Sequence, residues 1–371
     1  LGAAAVLSAK RWTWLSAISL LFTWILFGVG LSRFYVETHL LSFMLFLSAY
    51  HLIFIALGIA NNFVHRRDTD VPLTGLLLLS GIGYAGFASH LMLKNHSGLL
   101  AAVFLGWGVF YLLLIAAVNY WRRQDTRLAL LLLYLALGYF TVAVPVFLKE
   151  IWVTIAWSIM AVVVSVAGAH LGHFRLRQFG LLVMGLALFR LVFVDLRMFA
   201  LIEYDFRGIY PFSWSDRLPA ALVVVAAMLI LAWLYATPRY EISVRERKLA
   251  PWLAGGANVV LLASVLTEIS RYFYAKSINY HSYPWETYRN TAWSVTMGVH
   301  GFVLVVVGLW RKYKSIRWLG IGLLLATVAK IILVDLTGLE TAWRILVFFC
   351  TGVILLTASY LYQSHVKKAR H

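Results

Sequence analysis

The sequence predicts an all-α polytopic transmembrane bundle of about twelve spans, with two parallel four-helix repeats. Three observations predict it. The 371 residues are 62% hydrophobic and only 13% charged, with mean hydropathy +0.83, far outside the soluble globular range. Apolar runs of about 20 residues recur along the whole length, each long enough as a helix to cross a bilayer core of ~30 Å. The short alternating segments of an outer-membrane barrel are absent. Finally, Arg177–Leu196 (RQFGLLVMGLALFRLVFVDL) returns 140 residues later as Arg317–Leu336 (RWLGIGLLLATVAKIILVDL). Both stretches carry Arg, then Gly three residues on, then a basic residue (Arg190 or Lys330), and close on Val-Asp-Leu.

In chain order, spans are expected at 13–31, 40–61, 71–93, 98–120 and 127–148. They continue at 152–172, 177–196 and 217–236, then at 250–270, 290–310, 317–335 and 343–363. The chain opens on Leu1 and Ala-rich apolar sequence without a cleavable-signal pattern, so the numbering is expected to start inside a longer protein. Alternate connections are strongly basic, among them Lys10-Arg11, Arg66-Arg67, Arg122-Arg123, Arg245 to Lys248 and Arg311 to Lys314. The intervening connections hold as many acids as bases. By the positive-inside rule both termini are cytoplasmic. The net charge of +17 then reads as topology and contact with anionic membrane lipids, not as a nucleic-acid footprint. Cys350 is the only cysteine, which excludes intrachain disulfides and thiolate clusters. Pro145 is expected to kink or end its helix near the outer face.

The repeat extends past its core helix. Ala156-Trp157-Ser158 precedes the first copy and Ala292-Trp293-Ser294 the second. After each comes a span opening near Arg217 or Arg344 and closing at Leu234-Tyr235 or Leu361-Tyr362. An even number of helices separates equivalent spans, so the repeats are parallel. The expected organisation is an N-terminal region, 1–123, as a possible eroded repeat, then repeat A over 124–248 and repeat B over 249–371.

Two outer connections, Arg197–Asp216 and Ser270–Asn290, are rich in Tyr, Phe and Trp with interspersed charge. They are expected to fold over the outer mouth of the bundle. Asp195 and Asp335 close the repeated helices, with Arg190 and Lys330 five residues deeper. Five residues turn an α-helix by roughly 140°, so acid and base of one copy should not share a face. A deep cation costs several kcal/mol unless it is paired or hydrated. One reading makes Arg190, Asp195, Arg217, Lys330, Asp335 and Arg344 the lining of an outer cavity for a phosphate or carboxylate. The plainer reading has the long stems snorkel while Asp–Arg pairs fix helix ends.

Glu203-x-Asp205 is an acidic pair of the kind membrane glycosyltransferases carry on an outer loop, though such enzymes use the first outer loop, which here offers only Glu37. His170 and His173 are spaced i, i+3, but no third ligand lies nearby, and no metal is assigned. His51, His90, His300 and Glu268 fall in or near spans, where ionisable groups are relay candidates; a neutral His bonded to a carbonyl is the plain alternative. There is no HExxH, P-loop, dinucleotide fingerprint or nucleophile elbow. No cofactor is therefore expected, and an enzyme is disfavoured.

Pro145-x-x-Leu148, Trp152-Val-Thr-Ile-Ala-Trp157 and the Val-Asp-Leu helix, together with the closing stretch Lys330–Gln363 (KIILVDLTGLETAWRILVFFCTGVILLTASYLYQ), resemble a known family. It comprises very large, repeat-built bacterial membrane proteins classed as a domain of unknown function, number twenty-three thirty-nine. The resemblance covers about residues 127–365. It implies a bacterial inner-membrane protein, often with further spans and a coiled-coil or soluble segment upstream, and no established activity, so no catalytic role is carried over. The first copy departs from the closing pattern in having Arg190 for Lys330 and a longer loop after Asp195.

The expected function is a cell-envelope membrane protein that binds or translocates an anionic lipid- or sugar-linked ligand through an outer-facing cavity. The alternatives are a structural or assembly subunit working with other membrane subunits, and a lipid-linked glycosyltransferase-like enzyme using Glu203 and Asp205.

Overall fold

The computed structural model describes residues 13–65, 71–121, 126–196, 217–279, 285–310 and 313–335, with a few helical positions between 345 and 357. Among the described residues there is no strand, and eleven helices are long and apolar enough to cross a membrane. The helices are α1 (Thr13–Phe34), α2 (Leu40–His65), α3 (Val71–Met92), α4 (Ser97–Trp121) and α5 (Thr126–Phe147), then α6 (Ile151–His170), α7 (Phe174–Arg190) and α8 (Leu218–Ala236). They continue through α9 (Val244–Arg247), α10 (Leu249–Asn279), α11 (Trp285–Trp310) and α12 (Lys314–Lys330). The expected span at 343–363 lies mostly outside the described residues. Pro145 sits within α5, which ends two residues later at Phe147, because its missing N–H and its ring oppose continuation.

Contacts divide the chain into two units, Leu1–Lys149 and Glu150–His371. In the first, α4 and α5 form a hairpin and α3 packs against both α1 and α2. Its centre is aromatic, with Tyr84, Phe104, Tyr111 and Tyr139 all buried. In the second, α6 pairs with α7, α11 with α12, and α8 lies against α6 and α10.

One expectation fails at 270–290. Instead of a loop, α10 runs on to Asn279 and α11 begins at Trp285. At 31 residues α10 is roughly 46 Å long, well beyond the hydrocarbon thickness. The aromatic residues that suggested a lid line these helix extensions. Phe273 stacks on Tyr288 with centroids 6.4 Å apart, and Tyr274 meets Trp285 edge-on at 5.4 Å. The other expected lid, 197–216, is outside the described residues.

The two sequence copies fold alike. Both α7 and α12 pass into a π-turn, over Leu191–Asp195 and Ile331–Asp335. Both hairpins close through glycine. A Cβ at Gly180 would meet the Ala161 carbonyl at 2.8 Å, and one at Gly320 would meet the Gly301 carbonyl and the Val305 nitrogen at 2.8 Å. These neighbours are backbone and cannot swing aside. Gly320→Ala is therefore expected to cost about 1–3 kcal/mol through overpacking. Gly322→Ala, where a Cβ meets nothing within 4 Å, should be neutral or stabilise by up to ~1 kcal/mol. Thermal unfolding of the two variants in detergent checks the contrast.

Candidate functional site

The repeated charges sit where α6 meets the end of α7, and where α11 meets the end of α12. In the first copy Asp195 is buried and accepts a hydrogen bond from Thr154 Oγ1 on α6. Arg190 Nε lies 3.9 Å from Asp195 Oδ1, while its Nη2 donates to the Glu150 carbonyl at 2.9 Å. Arg217, at the N-cap of α8, acts electrostatically on the same carboxylate. The expectation that Arg190 and Asp195 occupy different faces is overturned. The π-turn closes its backbone i→i+5, with Leu196 N–H donating to the Leu191 carbonyl at 2.8 Å. That extra residue per turn carries Asp195 round to the side of Arg190.

The second copy repeats one contact on the basic side, the bond to the carbonyl 40 residues earlier, and adds a hydroxyl in place of the carboxylate. Lys330 Nζ donates to the Asn290 carbonyl at 2.9 Å and to Ser294 Oγ at 2.8 Å. Asn290 and Ser294 lie 140 residues after Glu150 and Thr154, as Lys330 lies after Arg190. Structural equivalence therefore runs at a constant offset through the hairpin. The matching Ala-Trp-Ser triplets, offset by 136, are one helical turn out of register and do not correspond in space. The Asp335 side chain, Arg344, Glu203 and Asp205 lie outside the described residues.

Around Lys330 the structure gathers groups that the sequence analysis left apart. Arg289 is buried, with its guanidinium carbon 4.8 Å from the Trp285 ring and 5.5 Å from the Trp293 ring, in cation–π range. It also donates to Asn290 Oδ1 from Nε and Nη2. Trp293 Nε1 reaches the Leu266 carbonyl and Ser270 Oγ, each at 3.1 Å. On α10, Arg271 Nη1 donates to Glu268 Oε1 at 2.9 Å, both side chains 5% exposed. Ser264, Thr267, Glu268 and Arg271 are all buried, and their i, i+3, i+4, i+7 spacing makes them one polar stripe. In a span, polar and ionisable side chains turn to the bundle interior in this way.

Two further polar centres emerge. At the other end of the α6–α7 hairpin, Arg177 and Glu246 form a buried fork, with Nε and Nη2 each 2.9 Å from a carboxylate oxygen. Arg177 Nη1 also donates to the Gly168 carbonyl at 3.2 Å. Glu246 closes a capping box with Ser243 that starts the single turn α9. The signal for it was Ser243-Val-Arg-Glu246, the S-x-x-E pattern.

In the first unit His51, 2% exposed, is hydrogen-bonded at both ring nitrogens. Nδ1 pairs with Ser80 Oγ at 2.8 Å, and Nε2 with the hydroxyls of Tyr111 at 2.9 Å and Tyr139 at 3.3 Å. Its partners are hydroxyls, where the sequence suggested a carbonyl. His170 Nε2 pairs with the Tyr240 hydroxyl at 3.2 Å. Among the described residues no three His, Cys, Asp or Glu side chains gather as a metal site.

A family described as predicted membrane protein (DUF2339) matches the chain twice, over residues 1–275 and 183–365. The two matches overlap over 183–275, from the second half of α7 through α8 and most of α10. No curated protein matches the chain. No solved structure matches it either.

Proposed function

We propose, from the premise that this chain belongs to that family of predicted membrane proteins, that it is a non-catalytic structural or assembly element of the bacterial inner membrane, with both termini cytoplasmic. The observation that carries this reading is the paired cation. Arg190 and Lys330 each reach the backbone carbonyl 40 residues earlier, at 2.9 Å, so each copy spends its intramembrane charge on fastening one helix end to the next. The division into an N-terminal region over 1–123 and repeats A and B over 124–248 and 249–371 fits one such hairpin in each repeat. The basic connections support the orientation. Other membrane subunits are the partners this role implies.

The test is a double-mutant cycle on Arg190→Ala and Asp195→Ala, read by unfolding free energy in detergent. A fastening pair gives a coupling of about 0.5–3 kcal/mol, and the reciprocal exchange of the two charges recovers part of the loss. Additive effects with unchanged stability and loss of a co-purifying anionic lipid or glycan would favour the cavity reading instead.

That second reading has one specific support. Arg271, Arg289 and Lys330 cluster at one end of α10, α11 and α12 with Glu268 as the carboxylate beside them. An anionic lipid- or sugar-linked ligand is the partner such a cluster suits, in a cavity that would extend to Arg190, Asp195, Arg217, Asp335 and Arg344. The glycosyltransferase-like reading has no support besides Glu203-x-Asp205 itself.

A further inference from the structure

In the first unit a groove of about 590 Å³ runs between α1 and α3, lined by Gly28, Leu31, Ser32 and Tyr35 on one side and by Gly83, Gly86, Phe87 and His90 on the other. Each set is spaced i, i+3, i+4, i+7, so each is a single helix face. The volume falls in the ~300–1,000 Å³ range of small-molecule pockets. Its wall is apolar along most of its length and turns polar at the end that holds Ser32, Tyr35 and His90.

The glycines differ in what they are for. Gly83 admits the Trp24 ring against the backbone, so close packing accounts for it. Gly86 does not: a Cβ there meets nothing within 4 Å. At Gly28 a Cβ would touch only the Phe87 ring, at the ordinary distance of 3.8 Å. Helix contact therefore does not require a missing side chain at 28 or 86. An open groove does.

Charge at the polar end indicates the occupant. Lys94 lies in the turn just past the end of α3, four residues after His90, and Arg33 follows Ser32 on α1; both are exposed. Nearby, Glu37 is engaged by Asn95 Nδ2 at 2.6 Å and lies 3.8 Å from His96 Nε2. Neither Arg33 nor Lys94 has an ion-pair partner among the described residues. A slot that is apolar along its length and cationic at one end complements a single alkyl chain bearing an anionic head.

We propose that this groove binds an anionic glycerophospholipid, with one acyl chain between the Gly28 and Gly86 faces and its phosphodiester at His90, Lys94 and Arg33. The site is separate from the charge pairs on which the proposed function rests.

Native mass spectrometry of the full chain in detergent, with dioleoyl phosphatidylglycerol or dioleoyl phosphatidylethanolamine added, tests it. The wild type should retain one phosphatidylglycerol in clear preference to phosphatidylethanolamine. Neutralising Lys94 and Arg33 (K94Q, R33Q) should reduce that preference by about fivefold for each cation removed, while a lipid still binds. Gly86→Leu and Gly28→Leu fill the groove from opposite walls, and each should abolish the retained lipid while thermal unfolding shows a folded protein. Equal retention of both lipids by the wild type overturns the headgroup assignment without any variant. Unchanged retention in either folded leucine variant overturns the groove. A dimer that disappears with Gly86→Leu would make the groove a self-association surface and overturn the proposal as well.

Discussion

Replacing Glu246 with alanine is expected to cost roughly 3–5 kcal/mol of stability, because it leaves the buried Arg177 guanidinium without its counter-charge. Arg177 is 3% exposed and directs three donors inward, two to Glu246 and one to the Gly168 carbonyl. Only the last would survive the substitution. Arg177→Ala should cost a similar amount, since the carboxylate then keeps only Ser243. The pair itself need not be worth that much. Desolvating two ions takes back most of their attraction, so Arg177→Met combined with Glu246→Leu is expected to recover most of the single-variant loss. The recovery should be incomplete, because Glu246 also accepts the Ser243 N–H as half of a capping box, worth about 0.5–2 kcal/mol. Unfolding free energies of the two single variants and the double variant separate these contributions. If both single variants unfold at the wild-type midpoint, Arg177 and Glu246 do not hold α9 to the α6–α7 hairpin.

Much of this architecture is legible in the sequence, and what is not has definite physical causes. Hydropathy locates the spans because the bilayer forces every backbone polar group to be satisfied within its own helix. The Arg190/Lys330 correspondence is likewise readable, and both side chains make the same contact. The facing of Arg190 and Asp195 is not readable, because a π-turn has no strong residue signature and one extra residue rotates all that follows it. The Ala-Trp-Ser triplets mislead by one turn because composition repeats where structure does not. Thr154 and Ser294, which resemble each other less as strings, are the true equivalents.

The aromatic stretch from 270 to 290 suggested a loop because Tyr and Trp gather at interfaces. Interfacial aromatics sit as well on a helix that outruns the hydrocarbon, as α10 does. The fork of Arg177 and Glu246 was hidden because both residues lie in or next to strongly basic connections, where charge reads as topology. Only the capping-box spacing marked Glu246 as more than that.

The His51 centre carries the other large effect. Its ring stacks on Tyr84 at 4.9 Å, meets Trp107 edge-on at 4.6 Å, and bonds Ser80, Tyr111 and Tyr139. Four helices, α2, α3, α4 and α5, meet through this one side chain. His51→Ala is expected to cost about 3–5 kcal/mol, as aromatic truncations in packed interiors do, and to strand hydroxyls at about 1–3 kcal/mol for each that finds no new partner. His51→Phe keeps the ring and its stacking but makes no hydrogen bond, so it isolates the polar share and should cost less. A cycle of His51→Phe with Tyr111→Phe should show coupling of about 0.5–3 kcal/mol, because the two groups share a bond. Unfolding midpoints in detergent provide the measurement, with wild-type stability in His51→Phe as the result that would reduce the centre to packing alone. Ionisable groups inside a membrane are functional candidates by default, yet here both ring nitrogens are already bonded within the bundle. A group so engaged fixes the positions of its helices, including α3, whose next turns carry the Gly83 to His90 face of the lipid groove. On that account His51→Ala should also weaken phosphatidylglycerol retention, while His51→Phe should leave it intact.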